Sequence, residues 1–436
     1  MKDIKTLLKN CTLIDGINDY KGLFDVLIQD GRICRIDRRI DNVEFDRCID
    51  AESNAVLPGF IDMHCHLREP GFEYKETIES GSKAAAKGGY TTICCMPNTK
   101  PVMDNIDSIK KLKEKINKSS EIEVIPIGAL TLNQQGVEIC DLDALADEGV
   151  MLFSDDGYPV MDNSIMFQGL KESLKKKILI IDHCEDINLV KGGVINEGNA
   201  CSRLGLKGIP ALAEELQVMR DVMMSQYTGA RIHIAHISTE NSLNIVRMAK
   251  QKGIKVSCEV TPHHISLSEE DIVAQDTNFK VNPPLRRTED VNALRQGLKE
   301  GIIDVIATDH APHSSSDKPK CFYEAANGIS GIEISFSVCY TYLVKTGILT
   351  LGELVRKMSY NSSELLNLGK GKIMEGSIAD LAIIDLGAEF VVNRNKFVSM
   401  GKNTPYHGKS LWGETLMTIF KGNIVYEKEG ILNVYR

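Results

Sequence analysis

The pattern of hydrophobic and polar positions is similar at the two ends of the chain and different in its middle. Near both ends, short runs alternate apolar and polar residues or are apolar throughout, which predicts β-strands. These predicted strands cover residues 7–14, 24–28, 32–36, 381–384, 417–420 and 424–426. Asp30 and Gly31 stand between two of them, and such a pair favours a type I′ hairpin turn. We therefore predict that residues 1–56 and 370–436 form one small β domain.

The middle of the chain, residues 57–369, repeats a strand-then-helix unit. Short apolar runs alternate there with longer segments of helical periodicity, such as 77–87 and 241–252. The predicted strands are 57–63, 91–95, 121–127, 150–153, 178–182, 231–235, 254–260 and 302–308. Eight units over roughly 250 residues fit a closed barrel better than an open sheet. The predicted fold class is thus α/β, a (β/α)8 TIM barrel with a small β domain formed by the N- and C-terminal segments.

Composition excludes several classes of function. The 436 residues carry 51 Lys and Arg against 60 Asp and Glu, a net charge of −9, without a basic patch for nucleic acid. There is no run of about 18 apolar residues that would predict a membrane span, and the first residues lack the apolar stretch of a secretory signal. The 12 cysteines are scattered without a CxxC pair, which indicates reduced, buried thiols in a cytoplasmic protein.

Polar side chains that can bind metal follow the predicted barrel strands. The carboxyl ends of the strands form the active-site face of a (β/α)8 barrel. His64 and His66 lie two apart in an extended segment, so both imidazoles point the same way and can hold one ion. Each such residue alone has an ordinary structural role, but their common position favours a single site. The residues at these strand ends are His64, His66, Arg68, Asn98, Asp155, Asp156, His183, His236, Asn282 and Asp309.

The combination of histidines with carboxylates favours borderline-soft divalent ions, with zinc first. Six ligands that share one carboxylate suit two ions better than one. A two-metal site can hold a hydroxide between the ions and polarise a carbonyl group. This donor set therefore predicts hydrolysis, or its reverse, at an amide-like carbon.

Motifs that run in order along nearly the whole chain point to one family. They are PGFIDMHCHLREPG (58–71), GGYTTICCMPNT (88–99), FSDDG (153–157), DHCED (182–186), HIAHIST (233–239), EVTPHH (259–264), NPPLR (282–286), IATDHAPH (306–313) and GKNTPYHG (401–408). Together they resemble the dihydroorotase family, in its long bacterial type (class I), within the amidohydrolase superfamily. The resemblance implies a zinc-dependent hydrolase for the reversible cyclisation of N-carbamoyl-L-aspartate to L-dihydroorotate plus water, in de novo pyrimidine (UMP) biosynthesis.

The resemblance also implies two zinc ions per chain, with a bridging hydroxide and with Asp309 as general acid and base. The implied ligands are His64, His66 and Asp309 for one ion, His183 and His236 for the other, and Asp156 for both. Many relatives bridge the ions with a carboxylated lysine, but residues 151–156 contain none. An aspartate of this segment is expected to bridge instead. Spacing leaves Asp155 and Asp156 open, and the family pattern favours Asp156.

The contacts with substrate follow from the same resemblance. The substrate is a dianion with a ureido group, and Arg68 suits a carboxylate because its guanidinium forms a bidentate fork. Arg68 and Asn98 are expected to bind the α-carboxylate with His313 beside it, and Asn282 to bind the ring or ureido edge. Residues 325–328 read Ala-Ala-Asn-Gly, where the family often has a Pro-Phe-Gly-like turn. The predicted substrate-binding residues are His66, Arg68, Asn98, Asn282, His313, Asn327 and Gly328.

Two other functions stay open at this point. A hydantoinase- or allantoinase-like enzyme acts on a cyclic amide without the α-carboxylate that Arg68 and Asn98 would bind. A non-catalytic scaffold for aspartate carbamoyltransferase is disfavoured because all six candidate ligands are present. The expected partner is a small-molecule substrate, with neither nucleic acid nor membrane. A homodimer and association with aspartate carbamoyltransferase are added hypotheses, and the polar segment 312–323 is a lid candidate.

Overall fold

The computed structural model describes residues 4–430 and the backbone of Asn433–Tyr435, so the predicted features at 1–3, 431–432 and 436 lie outside the described residues. The strands before the barrel are β1 (Thr6–Leu13), β2 (Leu23–Gln29), β3 (Arg32–Asp37), β4 (Arg47–Asp50) and β5 (Ala55–Pro58). The middle of the chain contains β6 (Phe60–Cys65), β7 (Tyr90–Cys95), β8 (Glu123–Pro126), β9 (Leu152–Phe153), β10 (Leu179–Asp182), β11 (Ile195–Asn196), β12 (Gly208–Ile209), β13 (Ile232–Ile234), β14 (Val256–Val260) and β15 (Val305–Ile306). The last strands are β16 (Leu381–Val391), β17 (Ser410–Phe420), β18 (Asn423–Glu427) and β19 (Asn433–Tyr435).

Helices alternate with the strands of the middle segment. They are α1 (Ile78–Lys87), α2 (Ile106–Ser119), α3 (Leu142–Asp147), α4 (Asn163–Lys176), α5 (Ile187–Val190), α6 (Asn199–Leu204), α7 (Leu212–Thr228), α8 (Glu240–Gln251), α9 (Thr288–Lys299), α10 (Ser335–Cys339), α11 (Leu351–Val355) and α12 (Asn361–Leu366). The helices predicted at 77–87 and 241–252 correspond to α1 and α8, which begin after the capping side chains of Thr77 and Thr239. Among the described residues, no helix is both long and apolar enough to cross a membrane.

One sheet joins the two ends of the chain. Its strand order is β18-β17-β16-β5-β1-β2-β3, with β4 and β19 paired beside β1. Asp30 and Gly31 connect β2 to β3 with φ angles of 52° and 69°, the left-handed values that a type I′ turn requires. The predicted β domain from the N- and C-terminal segments is thus confirmed as part of the fold. Its limits at residues 56 and 370 stay a prediction.

Eight parallel strands of the middle segment form the barrel, as predicted. One arc has the order β6-β7-β8 and the other has the order β15-β14-β13-β10-β9. Bridges between Gly128 and Phe153 and between Cys65 and His310 join the two arcs at both edges. Because all eight strands run the same way, their carboxyl ends share one face, and the loops that follow them meet there.

Apolar side chains fill the barrel interior and the layer between strands and helices. Ile61, Met63 and Leu152 belong to the interior cluster, whereas Phe60 stacks on Phe336 at 5.2 Å in the outer layer. Burial of these side chains supplies the main stabilisation of the fold. The polar groups at the carboxyl ends of the strands are therefore held on a rigid base.

Two sequence expectations need correction. The predicted strand 57–63 is two strands, β5 in the terminal sheet and β6 in the barrel, which Gly59 separates. A Cβ atom at Gly59 would lie 2.3 Å from Thr91 Oγ1, so only glycine fits this crossing. All 12 cysteines are free, as expected, but Cys34 and Cys321 are exposed because they lie on a hairpin and in a polar loop.

Candidate active site

Six side chains converge at the carboxyl ends of the barrel strands, and all are buried. They are the predicted ligands His64, His66, Asp156, His183, His236 and Asp309. Asp156 lies at their centre. Its Oδ1 is 3.5 Å from the Nε2 atoms of His64 and His236 and 3.6 Å from Nδ1 of His183. Its Oδ2 is 3.5 Å from Nε2 of His66, so one carboxylate faces all four imidazoles.

The backbone bends sharply at two of these side chains and at Arg68, which lies beside them. Arg68, His236 and Asp309 have φ angles of 62°, 28° and 44°, in a region that residues with a Cβ rarely adopt. Such strain persists only where the surroundings impose it. The N–H of Asp309 donates to the carbonyl oxygen of His64 at 2.9 Å, which holds the bend after β15. The bends aim these side chains toward one point.

β6 also departs from regular geometry. Its register against β7 shifts between Asp62 and Cys65. Ile61 and Met63 fill the barrel interior, and His64 reaches the ligand cluster from within the shifted segment. This irregularity breaks the alternation that a regular strand would impose on His64.

The cluster fits a metal centre by its chemistry and its unpaired atoms. His64 Nε2 and Asp156 Oδ1 are buried and have no hydrogen-bond partner among the described residues. Leaving such atoms unpaired is costly unless a ligand completes them. Two overlapping groups have ligand atoms within 4.8 Å of one another: His64 with Asp156 and His236, and His64 with His66 and Asp309. Imidazole and carboxylate donors at these positions can bind a divalent cation.

The charges of the cluster also favour a cation. Burial lowers the pKa of His183, but Asp156 and Glu185 outweigh burial and raise it to about 10. Burial would raise the pKa of Asp156, yet the neighbouring imidazoles bring it well below its usual value. The carboxylates thus create a negative field where the imidazole nitrogens meet. A bound metal ion would be stabilised by the same field.

The two adjacent aspartates after β9 have different environments. Asp155 Oδ1 accepts the N–H groups of Leu130 and Thr131 at 2.8 and 3.1 Å, and its Oδ2 accepts the Thr131 hydroxyl. Its carboxylate is therefore occupied in holding the loop after β8. Asp156 points into the cluster instead. Of the two carboxylates, Asp156 is the one that faces the imidazoles, and its role as a bridging ligand stays a prediction.

Glu259 is a contact that the sequence analysis did not identify. This residue of β14 is fully buried, and its Oε1 accepts the Nδ1–H of His64 at 2.7 Å. Its Oε2 lies 3.2 Å from Nε2 of His233. Because Nδ1 is the atom that donates to Glu259, Nε2 is the ring nitrogen of His64 that is directed at Asp156. In the sequence, this contact could have been suspected because Glu259 is a charged residue inside a strand that was predicted to be buried.

Replacing Glu259 with glutamine is expected to weaken metal binding by about 10- to 100-fold, because the amide cannot orient His64 as a carboxylate does. Titration of the metal-free protein against a chelator of known affinity measures this change. Glu214→Gln is the matched control, since Glu214 is equally buried but contacts Ser238 and Arg286 outside the cluster. Equal metal affinity in the wild type and Glu259→Gln would contradict the orienting role.

A cavity of about 130 Å³ opens onto the cluster. It is lined by His66, Arg68, Asn98, Asp156, Gly157, His236, Asn282, Asp309, Ala311, Asn327 and Gly328. Among residues 4–430, no carboxylate pairs with the Arg68 guanidinium, whose Nε donates to the carbonyl oxygen of Pro312 at 3.2 Å. Burial lowers the pKa of Arg68, so an anionic ligand would stabilise this cation. The cavity therefore favours a ligand with a carboxylate beside the metal cluster.

The remaining predicted contacts lie on the loops around the cavity. Asn98 Oδ1 is 3.1 Å from Nδ1 of His66, so Asn98 also supports a candidate ligand. Asn282 Oδ1 has no hydrogen-bond partner among the described residues and is available as an acceptor. Gly328 has a φ of 137° and lies so close to Ala311 that a Cβ would be 2.5 Å from the alanine Cβ. Only glycine brings the backbone this near the cavity.

His313 lies behind Arg68 and does not line the cavity. Its Nε2 is 2.7 Å from the carbonyl oxygen of Asn327 and therefore donates to it. Its Nδ1 accepts from the Lys75 ammonium at 3.3 Å. Burial, followed by the charge of Arg68, lowers the pKa of His313 to about 2, so the ring is neutral. Its predicted contact with substrate stays a prediction, and its geometry indicates a role in holding Asn327.

Solved structures of known enzymes share this architecture. The L-hydantoinase (dihydropyrimidinase) of Arthrobacter aurescens superposes with a TM-score of 0.89 at 26% identity, covering 98% of this chain and 96% of its own. With the buried ligand cluster, this similarity defines the class as a metal-dependent amidohydrolase.

A family profile described as Dihydro-orotase-like matches residues 53–242. Proteins named dihydroorotase from Acetivibrio thermocellus and Staphylococcus epidermidis are 46% and 43% identical over 98% of this chain and 100% of theirs. The chain belongs to the dihydroorotase family.

Proposed function

We propose that this protein is a dihydroorotase, which interconverts N-carbamoyl-L-aspartate and L-dihydroorotate plus water in pyrimidine biosynthesis. The observation that carries the proposal is the position of Arg68, a half-buried cation that lines the same cavity as Asp156 and Asp309. A ligand that satisfies this site has a carboxylate next to its reacting group, as both proposed substrates have. Hydantoin and allantoin lack that carboxylate, so Arg68 would have no partner with them.

The metal cofactor is proposed to be two zinc ions per chain. The proposed ligands are His64, His66 and Asp309 for one ion, His183 and His236 for the other, and Asp156 for both. Bound there, the ions would activate water and polarise the ring carbonyl. No lysine is present among the residues that line the cavity, which supports an aspartate in the bridging position.

Binding of the substrate is assigned to groups around the cavity. Arg68 would hold the α-carboxylate with two parallel hydrogen bonds, because its planar fork matches carboxylate geometry. Asn98 would support this contact with its amide. The free Oδ1 of Asn282 would accept a ureido or ring N–H, and the backbone at Asn327 and Gly328 would meet the opposite edge of the ring. These contacts orient the ring without taking part in bond breaking.

Asp309 is the proposed proton carrier. It lines the cavity, and its Oδ1 lies 3.1 Å from Nε2 of His66. Burial alone would raise the pKa of Asp309, but the hydrogen bond with His66 and the charge of His64 lower it, so the carboxylate is ionised. In hydrolysis it would accept a proton from the attacking water and pass it to the leaving ring nitrogen. In cyclisation the order reverses.

Turnover of dihydroorotate, carbamoyl-aspartate, hydantoin and allantoin, measured together with zinc content, tests this proposal. We expect turnover of the first two compounds only, with about two zinc ions per chain. Turnover of hydantoin or allantoin without dihydroorotate would replace the proposed substrate. Full zinc content without any turnover would favour a non-catalytic scaffold.

A cytoplasmic location, a homodimer and association with aspartate carbamoyltransferase are further proposals that rest on the similarity to dihydroorotases. Size-exclusion chromatography with light scattering tests the last two, on the protein alone and mixed with aspartate carbamoyltransferase. Elution as a monomer in both samples would contradict them.

A further inference from the structure

Two buried lysines connect the loops that follow β14 and β15. The ammonium of Lys280 donates to the carbonyl oxygens of Ala325 and Tyr323 at 2.6 and 3.2 Å. In the opposite direction, the ammonium of Lys318 donates to the carbonyl oxygens of Thr277 and Lys280 at 2.9 and 2.8 Å. Each loop thus sends one lysine into the backbone of the other. We call these four hydrogen bonds the loop clasp.

The charges of the loop clasp are not balanced locally. Lys280 and Lys318 are each only 5% exposed, and no carboxylate among residues 4–430 forms an ion pair with either ammonium. A buried cation without a counter-charge is costly, and burial lowers the pKa of both lysines, that of Lys318 to about 7. The hydrogen bonds to carbonyl oxygens are the contacts that stabilise the charged form. Two loops that only cover the surface would not need this cost in free energy of burying two ammonium groups. The arrangement therefore indicates that the distance between the two loops is important for the site beside them.

The loop clasp lies directly beside two groups that line the cavity. Asn282 follows Lys280 by two residues on the first loop. On the second loop, the N–H of Gly328 donates to the carbonyl oxygen of Lys280 at 3.0 Å, and Asn327 precedes it. Both Asn282 and the Asn327–Gly328 backbone line the cavity. The loop clasp therefore links two edges of the cavity that belong to different loops.

We propose that Lys280 and Lys318 are positioning residues that hold the Asn282 edge and the Asn327–Gly328 edge of the substrate site at a fixed separation. The inference rests on the proposed function. It adds to that function the residues that decide how well the substrate ring fits between the two edges. The metal ligands stand on the ends of barrel strands and on bends held by other bonds. Loss of the loop clasp should therefore weaken substrate binding while the chemical step and the metal centre persist.

Lys280→Met and Lys318→Met test the proposal, because methionine keeps an unbranched apolar chain and removes the donors. Each is expected to raise KM for dihydroorotate by roughly 10-fold or more, with kcat within about 2-fold and zinc content unchanged. Lys320→Met is the matched control, since Lys320 lies on the same loop, is exposed, and its ammonium has no hydrogen bond within the described residues. Its KM should equal that of the wild type.

Hydrogen exchange provides a second measurement that does not depend on activity. The amide of Gly328 should exchange faster in both lysine variants than in the wild type and in Lys320→Met. If a lysine variant does not fold, Thr277→Val takes its place, because it removes only the hydroxyl that donates to the carbonyl oxygen of Lys318 at 2.5 Å. It should raise KM and speed exchange to a smaller extent.

Three results would overturn the positioning role. The first is an unchanged KM in both lysine variants, and the second is an equal rise in KM in Lys320→Met. The third is a parallel loss of kcat, zinc and binding, which would indicate a general structural role. A wild-type protein that does not turn over dihydroorotate would instead contradict the proposed function, and Gly328 exchange would still test the loop clasp.

Discussion

Asp156→Ala is expected to remove both of the proposed zinc ions and to lower turnover by about 10³-fold or more, because this carboxylate faces all four imidazoles of the cluster. Its removal leaves the imidazoles without their shared anionic partner. Metal content by mass spectrometry and kcat for dihydroorotate measure the two effects. The fold itself should persist, since Asp156 makes few hydrogen bonds to the surrounding backbone.

Asp155→Ala is the matched control one residue away. It should lower the stability of the fold and leave the metal content nearly unchanged. It leaves the N–H groups of Leu130 and Thr131 without an acceptor, and each unpaired buried donor costs about 1–3 kcal/mol of unfolding free energy. Metal content should stay near the wild-type value. A reversed order of metal loss in the two variants would assign the bridging position to Asp155. Density for a carboxylated lysine between the ions would exclude an aspartate bridge.

Arg68→Met and Asp309→Asn are expected to change different constants. Loss of the Arg68 fork leaves a substrate carboxylate unpaired in a partly enclosed cavity, which costs about 2–3 kcal/mol. Binding of dihydroorotate and carbamoyl-aspartate should therefore weaken by roughly 30- to 150-fold, with zinc retained. Asp309→Asn should lower kcat by about 10²- to 10⁴-fold, because the amide cannot accept the proton. Much of the anion binding should remain, since Arg68 is intact.

Arg68→Lys separates charge from geometry, because lysine keeps the charge and loses the fork. Its affinity for the two anions should lie between those of the wild type and Arg68→Met. Calorimetric titration with each anion and steady-state kinetics supply the measurements. If Arg68→Met binds both anions as tightly as the wild type, the carboxylate contact is wrong. The main argument for dihydroorotate over an uncharged cyclic amide then fails as well.

Strand positions were predictable where burial is continuous and not where it is one-sided. Seven of the eight barrel strands, all except β8, are buried on both faces, so they appear as apolar runs bounded by polar residues. β16 shows the contrast: only 381–384 was predicted, but the strand extends over Leu381–Val391. Beyond Ile384 its side chains are partly or fully exposed, and the apolar signal fades while backbone pairing with β17 continues. The pattern of apolar and polar residues in this part of β16 does not reveal its hydrogen bonding to β17.

The sequence alone was sufficient for the barrel and for the set of candidate ligands. The order of strands along the chain places their polar ends on one face, whatever the details of packing. Motif similarity added the family, and the relatives confirm it. These conclusions depend on local periodicity and on residue types, which the chain carries directly.

Tertiary structure alone decided how neighbouring residues divide their roles. Asp155 and Asp156 are adjacent and chemically identical, and only the loop after β8 shows that Asp155 is occupied by Leu130 and Thr131. Glu259 meets His64 across 195 positions of sequence, and Lys318 meets Lys280 between separate loops. Such contacts depend on the register of β6 and on how the loops pack, which spacing along the chain does not specify. Side-chain direction is therefore set by the assembled barrel, because only there do distant donors and acceptors compete for the same atoms.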